Sequence, residues 1–201
     1  MIQNIVFDMG GVLLYYEPKP YVYREIPNQE EAKQIYEACF AGEEWRGLDA
    51  GLLTEEEALA GMEAHVPEGL RPALRQIFAN WPACMSPVPG MEELVEGLKR
   101  AGYRCWLLSN ASRRFPVLQE AYPVFSKLDG IFVSAYYHMV KPSHEIYRRF
   151  LQEFSLSAEE CVFLDDMEAN VQGALECGLH AHRFTGREEA EAFLRAEGVA
   201  W

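Results

Sequence analysis

The sequence predicts an α/β fold: a doubly wound parallel sheet with a small helical domain inserted after its first strand. Three observations predict it. Four short apolar runs have the length of buried strands, namely Ile5–Phe7, Arg104–Leu108, Gly130–Val133 and Cys161–Leu164. Amphipathic helical stretches lie between the later runs, and strands alternating with helices imply a parallel sheet. Residues 15–86 break the alternation, with helical patterns and no convincing buried strand.

The first run stops at Asp8, and Gly10-Gly11 then supplies a tight turn. Within the break, Glu30–Phe40, Thr54–His65 and Leu70–Trp81 read as helices, the second opened by a Thr54–Glu57 capping box. Pro18 and Pro20 punctuate one joint of this insert, and Pro82, Pro87 and Pro89 the other. The expected domains are therefore 1–14 with 87–201 for the sheet and 15–86 for the helical insert. Met91, Leu94, Val95 and Leu98 recur at i, i+3, i+4, i+7, with Gly102 as the stop. Glu145–Phe154 is a second amphipathic stretch. Ser157 and Glu160 have capping-box spacing, but Cys161 follows too soon for more than a single turn. Met167–Cys177 predicts a helix stopped by Gly178, and Thr185 with Glu188 predicts a capping box for the last helix. Sheets of this class bind ligands beyond the carboxyl ends of their strands. Asp8, Ser109-Asn110 and Asp165-Asp166 all fall at that edge.

A chain of 201 residues, 49% hydrophobic and 24% charged, suits a soluble protein with one sizeable core. No apolar run approaches the ~20 residues of a membrane span. The start MIQNIVFDMGG lacks the basic head and long apolar stretch of a signal peptide. The expectation is a cytoplasmic protein with no membrane partner. Cys39, Cys84, Cys105, Cys161 and Cys177 are odd in number, scattered and free of CxxC spacing, so they read as reduced thiols rather than a disulfide framework or a zinc site. The net charge of −13 disfavours nucleic acid and anionic membranes. It also repels phosphorylated substrates at long range, so a phosphate site here needs a strong local cation. No feature of the sequence sets an oligomeric state.

Asp8 follows a buried strand and precedes two glycines that let a ligand approach the backbone. A carboxylate, with a free pKa of about 4, attacks phosphorus without a base to activate it. Its difficulty is repulsion by an anionic phosphate, which a divalent cation relieves. Asp165-Asp166 offers the hard oxygen ligands that magnesium prefers. Ser109-Asn110 supplies a hydroxyl, an amide and backbone N–H groups for phosphate oxygens, and Lys141, before Pro142, supplies a point charge. Each of these taken singly also reads as a cap, a turn or a surface residue. GxSxG, GxxxxGK[ST] and GxGxxG are absent, and His65, His138, His144, His180 and His182 show no HExxH spacing. Arg113-Arg114 reads as a solvated helix face. Tyr15, Tyr16, Trp45 and Trp81 read as core packing or as the wall of a pocket under the insert.

Taken together and in order, FDMGGVL, LLSNAS, VKPSHEIY and VFLDDMEAN resemble the four-motif signature of the haloacid dehalogenase (HAD) superfamily over the whole chain. The helical insert resembles that family's cap domain on its Rossmann-like core, as does the stretch from Trp45 to Gly51. The resemblance implies a phosphatase in which Asp8 is the nucleophile and forms an aspartyl-phosphate. Magnesium would be held by Asp8 and Asp166 and by the carbonyl of Gly10. Lys141 and Asp165 join Asp8 among the implied catalytic residues, Asp165 as a nearby carboxylate. Ser109, Asn110 and Lys141 would bind the phosphoryl group of a small phosphorylated substrate, and Asn170 would orient the fourth motif.

One position departs from the pattern. Most phosphatases of the family carry a general acid–base aspartate two residues after the nucleophile, and Gly10 stands there. Such help is worth roughly 100- to 10,000-fold. A subgroup similar to α-D-glucose-1-phosphate phosphatases also has glycine there, which makes a sugar phosphate the favoured substrate. Metal-independent 2-haloacid dehalogenases, the first alternative, lack the paired acids of the fourth motif. A silenced binding or scaffold module, the second, has no use for so costly a cluster of charge. A phosphomutase would need the missing acid and ranks below both.

Overall fold

The computed structural model describes all 201 residues. In chain order, β1 (Asn4–Phe7) and β2 (Leu14–Tyr16) are followed by α1 (Pro18–Glu25), α2 (Gln29–Phe40), α3 (Glu43–Asp49), α4 (Glu55–Ala64) and α5 (Arg71–Ala79). The chain then alternates through β3 (Met85–Pro87), α6 (Met91–Arg100), β4 (Arg104–Ser109), α7 (Pro116–Ala121), β5 (Gly130–Val133), α8 (His144–Glu153), β6 (Cys161–Asp165), α9 (Glu168–Glu176), β7 (His180–Arg183) and α10 (Arg187–Ala196). The central sheet is wholly parallel, in the order β5-β4-β1-β6-β7. β2 and β3 form a separate antiparallel ribbon, with Tyr16 opposite Met85. The expected parallel doubly wound sheet is the one observed.

The pleat sends alternate residues of each strand into two cores. Ile5, Phe7, Leu107, Val162 and Leu164 join the larger core, with Met91, Leu94, Val95 and Leu98 of α6 and Ala190 and Leu194 of α10. Val6, Trp106, Leu108, Phe132 and Phe163 face the other way, against Ile146, Tyr147 and Phe150 of α8 and Ala174 of α9. Helices therefore cover both faces, as burial of both faces of a parallel sheet requires. Val22, Ile35, Met62 and Leu74 of the segment between β2 and β3 also belong to the larger core, so those helices and the sheet share one apolar interior.

The Thr54–Glu57 capping box is present on α4, with both reciprocal hydrogen bonds formed. The Thr185–Glu188 box is not: α10 starts at Arg187 behind Gly186, without a side-chain cap. Ser157 likewise caps nothing, and only the single turn Ala158–Glu160 forms. The unforeseen strand β7, His-Ala-His-Arg, is an edge strand paired only with β6, so it needs no continuous apolar run. The prolines foreseen as joint markers partly begin helices instead. Pro18 opens α1, where a missing N–H costs nothing.

Ser134, just after β5, grips the helical segment. Its hydroxyl donates to the Asp49 carbonyl at 2.5 Å and accepts from the Ala111 N–H at 2.9 Å. Gly51 makes the close approach possible, because a Cβ there would lie 2.1 Å from the Ala135 carbonyl oxygen and its φ is +67°. Gly51→Ala should lower stability by at least about 1–2 kcal/mol from backbone conformation alone, with the steric term added. Thermal unfolding reads this directly, and an unchanged midpoint would show that the segment is not held at this turn.

Candidate active site

The strand order places the polar strand ends side by side. β1 lies between β4 and β6, so Asp8 stands between Ser109 and Asp165. One cavity of about 240 Å³ opens over that edge and is lined by Asp8, Gly10, Ser109, Asn110, Lys141, Asp166 and Asn170. Asp165 lies just beneath, fully buried. All the polar residues foreseen for the site thus meet at one place.

Lys141 is the hub. Its ammonium, 1% exposed, lies 2.8 Å from Oδ1 of Asp8 and 2.6 Å from Oδ2 of Asp165, and donates to the Leu108 carbonyl at 3.0 Å. Asn110 clamps its backbone twice: Nδ2 donates to the Lys141 carbonyl at 3.0 Å and Oδ1 accepts from the Lys141 N–H at 2.8 Å. The Asn110 side chain is thereby committed, and only its backbone N–H stays free for a ligand. Asp165 is committed too. Its Oδ1 accepts from the Met167 N–H at 2.9 Å, and Asn170 Nδ2 donates to both carboxylate oxygens. The Tyr147 hydroxyl fixes Asn170 by donating to its carbonyl at 2.7 Å.

Burial pushes the Asp8 carboxyl up to about 6, with Asp165 adding to the rise and Lys141 opposing it. Burial also raises Asp166, again helped by the neighbouring Asp165. Burial alone would lower Lys141, but the Asp8 and Asp165 carboxylates outweigh it and hold the ammonium charged. Three carboxylates, those of Asp8, Asp165 and Asp166, have oxygens within 4.8 Å of one another. Asp166 has no other side chain as a hydrogen-bond partner, and the Gly10 carbonyl accepts no backbone hydrogen bond. This is a hard-oxygen set suited to magnesium. Gly11 makes room for it. Its φ is +76°, and a Cβ there would lie 2.5 Å from Asp166 Oδ2.

The rest of the cavity wall is aromatic and apolar. Tyr16, Trp45, Trp81 and Met85 line it together with Asp49. Trp45 meets Trp81 edge-on at 5.7 Å and stacks near Tyr16 at 6.5 Å. Tyr15 lies outside, 44% exposed. Arg114 is not on a solvated face as expected. Its side chain is 11% exposed, 4.4 Å from the Phe78 ring centroid, and it donates to the Phe78 carbonyl. Asp49 received no role from the sequence, although it lies within the quoted stretch from Trp45 to Gly51. His65, His144, His180 and His182 pair with surface glutamates away from the cavity. All five cysteines are free, and burial pushes four of the thiols up to about 12.

Comparison with known proteins agrees with this geometry. A sesquiterpene phosphatase of Aspergillus oryzae is 27% identical over 87% of this chain and 85% of its own. A chloroplast flavin mononucleotide hydrolase of Arabidopsis thaliana is 25% identical over 83% of this chain and 66% of its own. Among solved structures, a HAD family enzyme of Bacteroides thetaiotaomicron in complex with magnesium and inorganic phosphate superposes with a TM-score of 0.73, at 25% identity, over 96% of this chain and all of its own. An L-2-haloacid dehalogenase of Xanthobacter autotrophicus shares the fold at a TM-score of 0.67 and 16% identity, over 100% of this chain and 85% of its own. The haloacid dehalogenase-like hydrolase family model matches residues 2–178, and this chain belongs to that family.

Proposed function

We propose that this protein is a magnesium-dependent phosphatase that hydrolyses a small phosphorylated metabolite through an aspartyl-phosphate at Asp8. The observation that carries the reading is the charge arrangement in one cavity: Asp8 held by a buried lysine, beside an Asp166 carboxylate that no other side chain pairs with. The phosphatases among the relatives, and the magnesium and phosphate bound by a structural neighbour, support it.

Asp8 and Asp166, with the Gly10 carbonyl, would hold the ion. When bound, magnesium offsets the repulsion between carboxylate and phosphate and polarises the P–O bonds. An oxygen of Asp8 attacks phosphorus as the bond to the leaving oxygen breaks. Lys141, the Ser109 hydroxyl and the Asn110 backbone N–H bind phosphoryl oxygens. Asp165 positions Lys141, and Asn170 positions Asp165. Water then hydrolyses the aspartyl-phosphate.

The helical segment 15–86 acts in this reading as a cap that receives the organic part of the substrate. Its wall of Tyr16, Trp45 and Trp81 suits a phosphomonoester with an apolar or planar face. A sugar phosphate, including an anomeric one, meets that wall through its ring. No helix is long and apolar enough to cross a membrane, and five free thiols fit a cytoplasmic site of action. Nucleic acid and membrane partners are no part of the reading.

With magnesium present, the protein should turn over p-nitrophenyl phosphate. Asp8→Asn should lower kcat by at least about a thousandfold while leaving the circular dichroism unchanged. Wild-type rates in that variant would remove the covalent mechanism. Full activity without magnesium would remove the ion from the mechanism, and no turnover at all would favour a dehalogenase or a binding module.

Stability should respond to pH and magnesium together. The folded-state pKa of Asp8 is raised from 3.8 to about 6, and that of Asp166 is raised as well. The folded protein thus binds more protons than the unfolded chain between those values, so these groups cost stability as pH rises from about 4 through about 6. An ion held by the carboxylates offsets that cost. The gain in unfolding temperature on adding magnesium should therefore be larger near pH 7.5 than near pH 5, and equal gains would argue that these carboxylates do not hold the ion.

A further inference from the structure

Gly10 leaves the reaction without a proton donor next to the nucleophile. The space a side chain would fill there is open, since a Cβ on Gly10 would meet only Tyr16 Cβ, at 3.6 Å. Tyr16 bounds that opening, and Asp49 lines the same cavity from the last residue of α3. The Asp49 backbone is fixed by the Ser134 hydroxyl, whereas its carboxyl has no hydrogen bond or ion pair with the protein. A carboxyl held by its backbone, free at its tip and facing a largely apolar cavity is placed as a general acid is placed.

From this arrangement we infer that Asp49 is the general acid and base of the phosphatase reaction, replacing from the helical segment the carboxylate that Gly10 cannot supply. The inference rests on the phosphatase reading above. In the first step Asp8 bonds to phosphorus, the bond from phosphorus to the leaving oxygen breaks, and the Asp49 carboxylic acid gives its proton to that oxygen. In the second, the Asp49 carboxylate takes a proton from the water that attacks phosphorus, the Asp8–phosphorus bond breaks, and the acid form returns. One phosphomonoester and one water give one alcohol and one phosphate, with no further reactant.

Burial pushes the Asp49 carboxyl up to about 8, so the acid form prevails near neutral pH. The other titratable groups around the cavity are Tyr16, Asp8, Lys141 and Asp166. None of them can replace it. Asp8 is the nucleophile, Lys141 is paired with two carboxylates, Asp166 is in the ion site, and burial holds Tyr16 well above its ordinary value.

The test compares leaving groups, with magnesium present throughout. Asp49→Asn keeps the size and the backbone anchor but cannot transfer a proton. It should lower kcat/KM for an alkyl phosphate roughly 100-fold more than for p-nitrophenyl phosphate, whose leaving group needs little protonation. It should also remove the alkaline fall of the wild-type alkyl phosphate profile. Equal losses on both substrates, or none, would overturn the assignment and leave the phosphatase reading intact. If the variant does not fold, the wild-type enzyme alone decides across a series of leaving groups: a shallow dependence of rate on leaving-group pKa supports a protonating group, and a steep one overturns it. A wild-type protein inactive on every phosphomonoester would sink the phosphatase reading and the assignment with it.

Discussion

The site is organised by one interaction, the buried ammonium of Lys141 held between the carboxylates of Asp8 and Asp165. An ion taken out of water costs several kcal/mol unless partners and hydrogen bonds replace its hydration. Lys141 has both kinds of replacement, two carboxylates and the Leu108 carbonyl. Each partner belongs to a different strand or its exit: Asp8 directly follows β1, Leu108 lies on β4 and Asp165 ends β6. Only a sheet with β1 between β4 and β6 brings them together. The arrangement is thus a functional geometry and a tie across the central strands at once. Loss of either carboxylate would leave part of a buried charge uncompensated.

The tie leaves a charge imbalance. Asp8, Asp165 and Asp166 against Lys141 give a formal charge of −2 in a half-closed space. The raised carboxyls of Asp8 and Asp166 are its local expression. A phosphate would deepen the deficit, and the overall charge of −13 gives no help from outside. Lys141 is the sole cationic side chain lining the cavity, and it is already shared between two carboxylates. In the proposed reaction a divalent cation would supply the missing positive charge, because Arg183, the cation beside Asp166, is engaged with the Asp166 carbonyl and does not line the cavity. Metal-free chemistry of the dehalogenase kind would leave the Asp166 carboxylate unexplained.

Much of this was legible in the sequence, for a physical reason. β1, β4 and β6 are buried along nearly their whole length and the edge strand β5 over its second half, so all four show as apolar runs, and a polar residue at or just after the end of such a run stands out. Asp8, Ser109 and Asp165 were visible for that cause. β7 was not, because an edge strand with half-buried His180 and His182 needs no apolar run. β2 and β3 were missed because three-residue ribbons fall below any periodicity. Arg114 was misread because its burial depends on Phe78 and Trp81, which approach it only in three dimensions. The commitment of the Asn110 amide to Lys141 was hidden in the same way. Asp49 is the instructive case. Nothing in its local sequence separates it from an ordinary residue at a helix end, and what marks it is an unpaired carboxyl facing a cavity whose other wall lies more than thirty residues away in sequence.

The way the helical segment is attached explains how one edge could serve both chemistry and selection. The chain leaves the sheet domain through β2 and returns through β3, and the paired residues Tyr16 and Met85 both line the cavity. Two side chains following strand ends then grip the segment. Ser134, after β5, holds the end of α3, and Arg114, after β4, holds the end of α5 at the Phe78 carbonyl. The aromatic wall of the cavity is thus positioned by the same strand ends that carry the polar site. Function resides in such sites rather than in the fold itself. Substitutions at Trp45 or Trp81 would reshape the wall without touching Asp8, Lys141 or Asp166. In the proposed reading the polar strand ends would set the reaction, and a gripped but separate wall would leave the leaving group free to differ, as it does between relatives named a sesquiterpene phosphatase and a flavin mononucleotide hydrolase.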